Sequence, residues 1–366
     1  MADDDGNYGH PPMATLNDMT PPGPKVSPYR VRLSTVLVVI IVAVLLILVV
    51  KPNELDVYKS FNELQFADPA LARCVKESAI ANKWRDVGHA QKLRCNNPSG
   101  DGITSLEGIE HLVELSEINL AFNHISDTGP LATLPRLETV DLSHNSVSEL
   151  PVLRSAPILR RIELNYNQIE SLEWLAEEHF LALESFSVVH NHISDVTEIP
   201  ALEGIRELSI RDNAIKNLEP IWQLSNLVML DAGKNLVEDI SGIGELRQLG
   251  RLFLDRNHIT RLNGIEHLHS LEELDLANNR LQSTAPLASL ERLQRLNLNQ
   301  TGITGLTDIL ALGDLDLLRV SGNPDLACED IAAAKAEYGA TSIRSDKQCP
   351  GAGDKGDAAS DESSGN

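Results

Sequence analysis

Four cysteines are the side chains of this 366-residue chain best suited to covalent chemistry: Cys74, Cys95, Cys328 and Cys349. Cysteines form disulfide bonds or bind zinc, but no two of these have the close CxxC spacing that zinc sites usually show. The sequence also contains no Gly-rich phosphate loop, no GxSxG nucleophile motif and no paired-cysteine redox motif. We therefore predict a chain that is not an enzyme and has no catalytic residue, no cofactor and no metal site.

An asparagine recurs at a fixed interval through the middle of the chain. The interval is 22 residues, except for the 24 residues between Asn167 and Asn191, and Thr301 fills one place in the series. The asparagines of this ladder are Asn123, Asn145, Asn167, Asn191, Asn213, Asn235, Asn257, Asn279 and Asn323. A period of this length indicates a stack of one repeated structural unit, and such stacks usually display a binding surface instead of enclosing a catalytic pocket.

Each asparagine belongs to the same phrase, LxxLxLxxNxL, as in LSEINLAFNHI from Leu115 to Ile125. Apolar residues two apart, such as Ile118 and Leu120, predict a short strand with one buried face. After the strand the chain must turn inward, which leaves backbone groups without a strand partner. An asparagine amide both donates and accepts hydrogen bonds, so the ladder is expected to satisfy those groups.

These motifs resemble the leucine-rich repeat family, and the 22-residue period resembles its bacterial internalin-like branch. The resemblance covers about Lys92 to Asn323, with ten matching units and a partial eleventh at the start. It implies an α/β solenoid, a horseshoe of ten or eleven coils in residues 92–326 with the strands on its concave face. Relatives of this kind carry helical caps at the ends of the array.

The distance between the ends of the array limits how the cysteines can pair. Stacked strands are about 4.8 Å apart, so the nine steps from Asn123 to Asn323 separate the ends by roughly 43 Å. A disulfide needs Cα atoms about 5.5 Å apart. The remaining alternatives are Cys74 with Cys95 and Cys328 with Cys349, or no bridges at all. The paired form would imply an oxidising compartment.

The cysteines flank the repeats in two segments that we predict to be caps, residues 67–91 and residues 327–349. Asp68 and Pro69 make a good helix start, with a helix continuing to about Trp84. At the other end, an Ala-rich helix is expected from Glu329 to Tyr338, followed by a short strand at 341–344. Each cap would cover the hydrophobic cross-section of an end coil.

An uncharged run of eighteen residues, LSTVLVVIIVAVLLILVV at 33–50, predicts a transmembrane helix of about 27 Å. Three basic residues precede it and two follow it, which places the N-terminus in the cytoplasm and the repeats outside it. These basic residues are Lys25, Arg30 and Arg32 before the helix, and Lys51 and Lys59 after it. The remaining segments are a disordered tail at 1–32, a juxtamembrane linker at 51–66 and a disordered acidic tail at 350–366.

The residue just before each ladder asparagine supplies the candidate binding surface. In the first four full repeats it is aromatic or imidazole, and neighbouring coils would bring these rings about 5 Å apart. Arginines lie beside this column and farther along the concave face, and exposed aromatic and arginine residues are enriched at binding hot spots. The predicted ligand-binding residues are Phe122, His144, Tyr166, His190, Arg161, Arg211, Arg251 and Arg256.

The predicted function is therefore recognition, by a single-pass protein of a bacterial inner membrane whose repeats face the periplasm or the exterior. The expected partners are a protein or an envelope glycan, with the lipid bilayer around residues 33–50. The net charge of −22 makes nucleic acid a poor partner. Two alternatives stay open: a cytosol-facing scaffold resembling phosphatase-regulatory leucine-rich repeat proteins, and a structural spacer in an envelope complex.

Overall fold

The computed structural model describes residues 61, 63–97, 101–150, 156–176, 180–313 and 315–349. The predicted transmembrane helix at 33–50, the predicted tails at 1–32 and 350–366, and most of the linker at 51–66 lie outside these ranges. Within them no helix is both long and apolar enough to cross a bilayer. The membrane anchor therefore stays a prediction.

Twelve short strands form one parallel sheet, in which every strand pairs with the next one along the chain. Their bounds are β1 Lys92–Arg94, β2 Glu117–Asn119, β3 Thr139–Asp141, β4 Arg161–Glu163, β5 Ser185–Ser187, β6 Glu207–Ser209, β7 Met229–Asp231, β8 Arg251–Phe253, β9 Glu273–Asp275, β10 Arg295–Asn297, β11 Leu317–Arg319 and β12 Ile343–Arg344. Strands β2 to β11 belong to the ten full repeats, and β1 belongs to the partial first coil. The repeat solenoid is thus confirmed, and β12 confirms the strand expected in the C-terminal cap.

The return path of each coil is short and irregular, and its apolar residues complete the core. Leu131, Leu134 and Leu137 are fully buried, as the LxxLxxL pattern requires. Eight 3-10 helices occur in the described ranges, the first in the N-terminal cap: Val87–His89, Ile109–His111, Gly129–Thr133, Glu219–Gln223, Ile243–Glu245, Ile265–His267, Ala285–Ser289 and Ile309–Ala311. The 24-residue repeat instead contains a single α-helical turn, α2, spanning Glu173–Ala176, which buries Trp174.

The asparagine ladder joins neighbouring coils by the same hydrogen bonds in successive repeats. In Asn257, for example, Oδ1 accepts the Val237 N–H at 3.0 Å, and Nδ2 donates to the Ala232 and Leu254 carbonyls at 3.0 Å. Two of these three partners belong to the preceding coil, and the Asn257 residue is only 5% exposed. The ladder therefore satisfies buried backbone groups at each turn, as predicted from the sequence.

Thr301 shows how the stack accommodates a missing asparagine. Its hydroxyl still donates to the Leu298 carbonyl at 2.7 Å, replacing one amide hydrogen bond. The Leu281 N–H, which an asparagine oxygen would otherwise accept, donates to the backbone carbonyl of Thr301 at 3.0 Å. One coil thus closes with a backbone acceptor in place of a side-chain acceptor.

The N-terminal cap is a helix, α1, spanning Pro69–Asn82, and its position depends on Asp68. One carboxylate oxygen accepts the Ala70 and Leu71 N–H groups at the start of the helix. The other accepts the Thr104 N–H, the Thr104 hydroxyl and the Ser105 N–H of the following loop. Burial opposes ionisation of Asp68, but these hydrogen bonds outweigh burial and lower its pKa.

We expect Asp68→Asn to lower the free energy of unfolding by roughly 2 kcal/mol at neutral pH, because the amide NH2 cannot accept the second set of hydrogen bonds. The advantage of the wild-type carboxylate exists while it is ionised. It should therefore be present above the ordinary aspartate pKa of 3.8 and be lost as the pH falls through the lower folded-state value. Urea unfolding of both proteins near pH 7 and near pH 3 measures the difference. A difference that is equal at both pH values would contradict this account.

The C-terminal cap consists of a helix, α3, spanning Cys328–Tyr338, followed by β12. Tyr338 anchors it to the array, because its hydroxyl donates to the Ile309 carbonyl at 2.5 Å. Disulfides tie both caps: Cys74 to Cys95 with Cα atoms 5.8 Å apart, and Cys328 to Cys349 with Cα atoms 5.5 Å apart. The pairing within each end, one of the two sequence alternatives, is therefore confirmed.

Candidate functional site

The residues that precede the ladder asparagines form a row along the solenoid, three residues beyond the end of each strand. All ten have a left-handed backbone, with φ from 54° to 72°. They are Phe122, His144, Tyr166, His190, Asp212, Lys234, Arg256, Asn278, Gln300 and Gly322. Left-handed backbone costs a non-glycine residue on the order of 1 kcal/mol, so the row is a conformation that the stack imposes. We call it the left-handed row.

The first four members of this row are stacked rings, which we call the aromatic column: Phe122, His144, Tyr166 and His190. Successive ring centroids are 4.1, 4.2 and 4.6 Å apart, with interplanar angles of 11°, 9° and 27°. Phe122 and Tyr166 remain 44% and 45% exposed. The structure thus brings together the four rings that the repeat phase predicts to be neighbours.

A charged network continues the row beyond the column. His190 Nδ1 lies 2.6 Å from Asp212 Oδ2, and the Lys234 ammonium donates to the same oxygen at 2.5 Å. Burial alone would raise the pKa of Asp212, but the hydrogen bonds from Lys234 and His190 outweigh it and lower that pKa. Because an ionised carboxylate only accepts, Nδ1 of His190 is the protonated ring nitrogen. The imidazole is thereby fixed in orientation.

The predicted arginines fall into different environments. Arg161 lies on β4 beside the column, with Nη1 3.5 Å from Glu163 and 3.2 Å from the Ser185 hydroxyl. Arg251 on β8 is 3.7 Å from Glu207. Arg256, in the left-handed row, is exposed and has no ion-pair partner among the described residues. Arg251 and Arg256 are therefore the predicted arginines with the weakest contacts to neighbouring side chains.

Arg211 is held within the concave face by two carboxylates. Its Nη1 and Nη2 donate to the two Asp255 oxygens at 2.7 Å each, and Nη1 also lies 3.2 Å from Asp231. Hydrogen bonding to Asp255 raises the pKa of Arg211 further above its ordinary value. Burial raises the pKa of Asp231, which the Gly233 N–H and Arg211 only partly offset. Arg211 therefore already has partners that any ligand would have to replace.

Gly233 allows this arrangement, because a Cβ there would overlap Arg211 Nη1 and Asp255 Oδ1. We expect Gly233→Ala to displace the guanidinium and leave the Asp255 side chain, which is only 11% exposed, without its partner. The cost should be about 2 kcal/mol of unfolding free energy, measurable by urea denaturation. Gly250→Ala is the matched control, since its new Cβ would lie 3.7 Å from the nearest atom. Equal destabilisation by both substitutions would exclude the proposed role of Gly233.

Two neighbouring carboxylates lie on the strands that support the aromatic column. Asp141 on β3 and Glu163 on β4 are in register. Asp141 accepts hydrogen bonds from Asn119 at 2.8 Å and from the Ser143 N–H at 3.0 Å, both neutral donors. Burial, followed by the charge of Asp141, raises the pKa of Glu163 despite the nearby Arg161. This part of the face therefore carries negative charge that its own residues only partly neutralise.

Sequence reasoning missed two features of this surface. One is the left-handed backbone of the whole row, which Asp212, Asn278 and Gly322 could have signalled because Asp, Asn and Gly favour that conformation. The other is the Arg211 network, which joins residues of three different coils. In the described part of the chain no group of three or more His, Cys, Asp or Glu side chains is placed to hold a metal ion.

Comparison with family models finds leucine-rich repeats in two segments. Residues 113–155 match a model described as leucine-rich repeats in two copies, and residues 270–291 match a single leucine-rich repeat. No curated protein sequence matches significantly. The matched segments lie within the ten full repeats.

Three of the solved structures that share this fold come from two bacteria. An internalin from Listeria monocytogenes, InlF, has a TM-score of 0.65 at 24% identity, over 79% of this chain and 92% of that one. A leucine-rich repeat protein from Leptospira interrogans has a TM-score of 0.58 at 22% identity, over 71% and 74%. The functional domain of InlJ from Listeria monocytogenes, which includes a cysteine ladder, has a TM-score of 0.58 at 22% identity, over 74% and 60%. At these identities the similarity shows the fold, which is that of a leucine-rich repeat solenoid, and two segments of the chain match leucine-rich repeat models.

Proposed function

We propose that this chain is a single-pass, membrane-anchored recognition protein that binds a protein ligand through its concave face outside the cytoplasm. The observation that carries the proposal is the aromatic column, because two large rings, Phe122 and Tyr166, stay nearly half exposed on a rigid face. Exposed aromatic residues of this kind are typical of binding hot spots. The fold supports it, since stacked repeats offer an extended concave surface.

The location rests on two further observations. Both cysteine pairs are disulfide-bonded, which supports an oxidising compartment such as the periplasm or the exterior. The uncharged run at 33–50, with more basic residues before it than after it, supports a retained helix with a cytoplasmic N-terminus. The paired cysteines favour this location over the cytosolic scaffold.

Tyr166→Gly tests the binding surface without disturbing the fold. Loss of ring stacking costs about 1 kcal/mol, and relief of the left-handed backbone, φ 56°, returns about the same amount. We expect native partner capture from membranes by the full-length protein to weaken about tenfold or more. Gln300→Gly is the matched control, because it has the same backbone conformation, φ 54°, outside the column. Unchanged capture by Tyr166→Gly would remove the aromatic column as the contact surface.

The compartment is tested separately with a membrane-impermeant maleimide on intact cells. The exported form should be labelled at Cys74, Cys95, Cys328 and Cys349 only after reduction of its disulfides. Labelling without a reductant, or only after the cells are permeabilised, would refute the exported location.

A further inference from the structure

The aromatic column is closed to flat ligands. His144 and Tyr166 each have a stacked ring on both faces, with centroids 4.1 to 4.6 Å apart. Inserting another ring between two members would need roughly 7 Å, twice the contact distance of about 3.5 Å between carbon atoms. A sugar or a nucleobase that stacks on a ring face therefore finds the faces of the two interior rings already covered.

The sheet sets the spacing of the column. Each ring stands three residues beyond a strand whose neighbours are hydrogen-bonded in fixed register, at the usual strand spacing of about 4.8 Å. The left-handed backbone of all four residues further restricts them, with φ from 56° to 61°. Opening the column to a flat ligand would therefore mean turning a side chain out of the stack or breaking the strand pairing beneath it.

What the column offers to a partner is its edges. The edge of an aromatic ring carries positive potential and attracts oxygen atoms such as peptide carbonyls. The Tyr166 hydroxyl projects from this edge without a hydrogen-bond partner among the described residues, while His190 Nδ1 is committed to Asp212. A polypeptide backbone supplies carbonyl oxygens at intervals and fits a ridge of ring edges.

The negative charge beside the column favours a ligand with a basic side chain. Asp141 and Glu163 face the concave side of β3 and β4, since the residues that flank them, Val140 and Leu142 or Ile162 and Leu164, are buried. A basic side chain would complement Asp141, which has only neutral hydrogen-bond donors.

We propose that the aromatic column and the Asp141 and Glu163 carboxylates together bind an extended polypeptide segment through its backbone carbonyls and one basic side chain. This inference rests on the proposed function and narrows its partner from any protein to a protein with an exposed basic segment. The contacts would run across the first four full repeats.

Titration calorimetry on the full-length protein tests this with defined probes. They are an alternating arginine–glycine peptide, its glutamate–glycine counterpart and chitohexaose. The test variant, Asp141→Asn with Glu163→Gln, should bind the arginine peptide at least about tenfold more weakly than wild type. The matched control, Glu238→Gln with Glu291→Gln, removes the same charge from two exposed residues off the concave strands and should change affinity less than about twofold. Tyr166→Gly should also weaken binding of the arginine peptide.

Equal weakening by the two double variants would mean that the acidic chain merely attracts any polycation, and would overturn the inference. Failure of the arginine peptide to bind, or preference for the glutamate peptide, would do the same. Chitohexaose binding that is lost in Tyr166→Gly would overturn the polypeptide assignment but leave concave-face recognition standing. The proposed function itself would be refuted only if Tyr166→Gly captured the native partner as well as the wild-type protein does.

Discussion

Replacing Asn257 with alanine is expected to lower the free energy of unfolding by roughly 3 kcal/mol or more. The substitution removes the acceptor of the Val237 N–H and the donor to the Ala232 and Leu254 carbonyls, in a site that is only 5% exposed. Each buried group left without a partner costs about 1 to 3 kcal/mol. Because two of the partners belong to the preceding coil, the loss weakens the interface between coils as well as the coil itself.

Asn263→Ala is the matched control, since Asn263 is exposed on the return path of the same repeat. It should leave the urea midpoint nearly unchanged. Hydrogen exchange should locate the damage of Asn257→Ala in the two coils that contain β7 and β8, because a repeat array unfolds between units whose interface is weakened. Equal midpoints for the two variants would refute the role assigned to the ladder.

Removing the N-terminal disulfide, by Cys74→Ala with Cys95→Ala, is expected to cost about 3 kcal/mol. The bond closes a loop with a sequence separation of 21 residues and ties α1 to the first coil. Without it, α1 should separate more often from the end of the sheet, exposing the buried Leu71 and Val75. Limited proteolysis and hydrogen exchange of this segment measure the change together with the unfolding midpoint.

The C-terminal pair provides a symmetrical comparison. Cys328→Ala with Cys349→Ala removes a bond with the same sequence separation of 21 residues at the other end. It should expose α3 and β12 to exchange while leaving α1 protected. Loss of protection at both ends in either variant would show that the caps are not local covers, contrary to the expectation for a stack in which each unit contacts only its neighbours.

Much of the fold was predictable because the repeated sequence pattern gives every coil the same structure. The phase of the asparagines fixed which residues form strands, and the length of the array fixed which cysteines could meet. The helix start at Asp68 was also readable, because an Asp followed by Pro has a clear local meaning. In each case the physical cause lies within a few residues of the chain or within the repeat period.

The Arg211 network was not predictable, because it depends on contacts between side chains of different coils. Arg211 reaches Asp255 because Gly233 leaves the space above β7 open, and no local pattern announces that combination. The left-handed row was hidden for a different reason: Phe122 and Tyr166 are bulky residue types that rarely adopt this backbone alone. The stack imposes it, so residue preference was a poor guide there.

The left-handed row has a consequence for how such a protein diverges. Its nine non-glycine members share nearly one backbone conformation, φ 54° to 61°, although they include aromatic, acidic, basic and amide residues. The stack therefore holds nearly the same backbone conformation whichever of these side chains occupies a place, and exchanging one for another changes the displayed chemistry while the backbone stays the same. Proteins with this scaffold can change their ligand by substituting residues of the left-handed row, while the asparagines beside it keep the architecture constant.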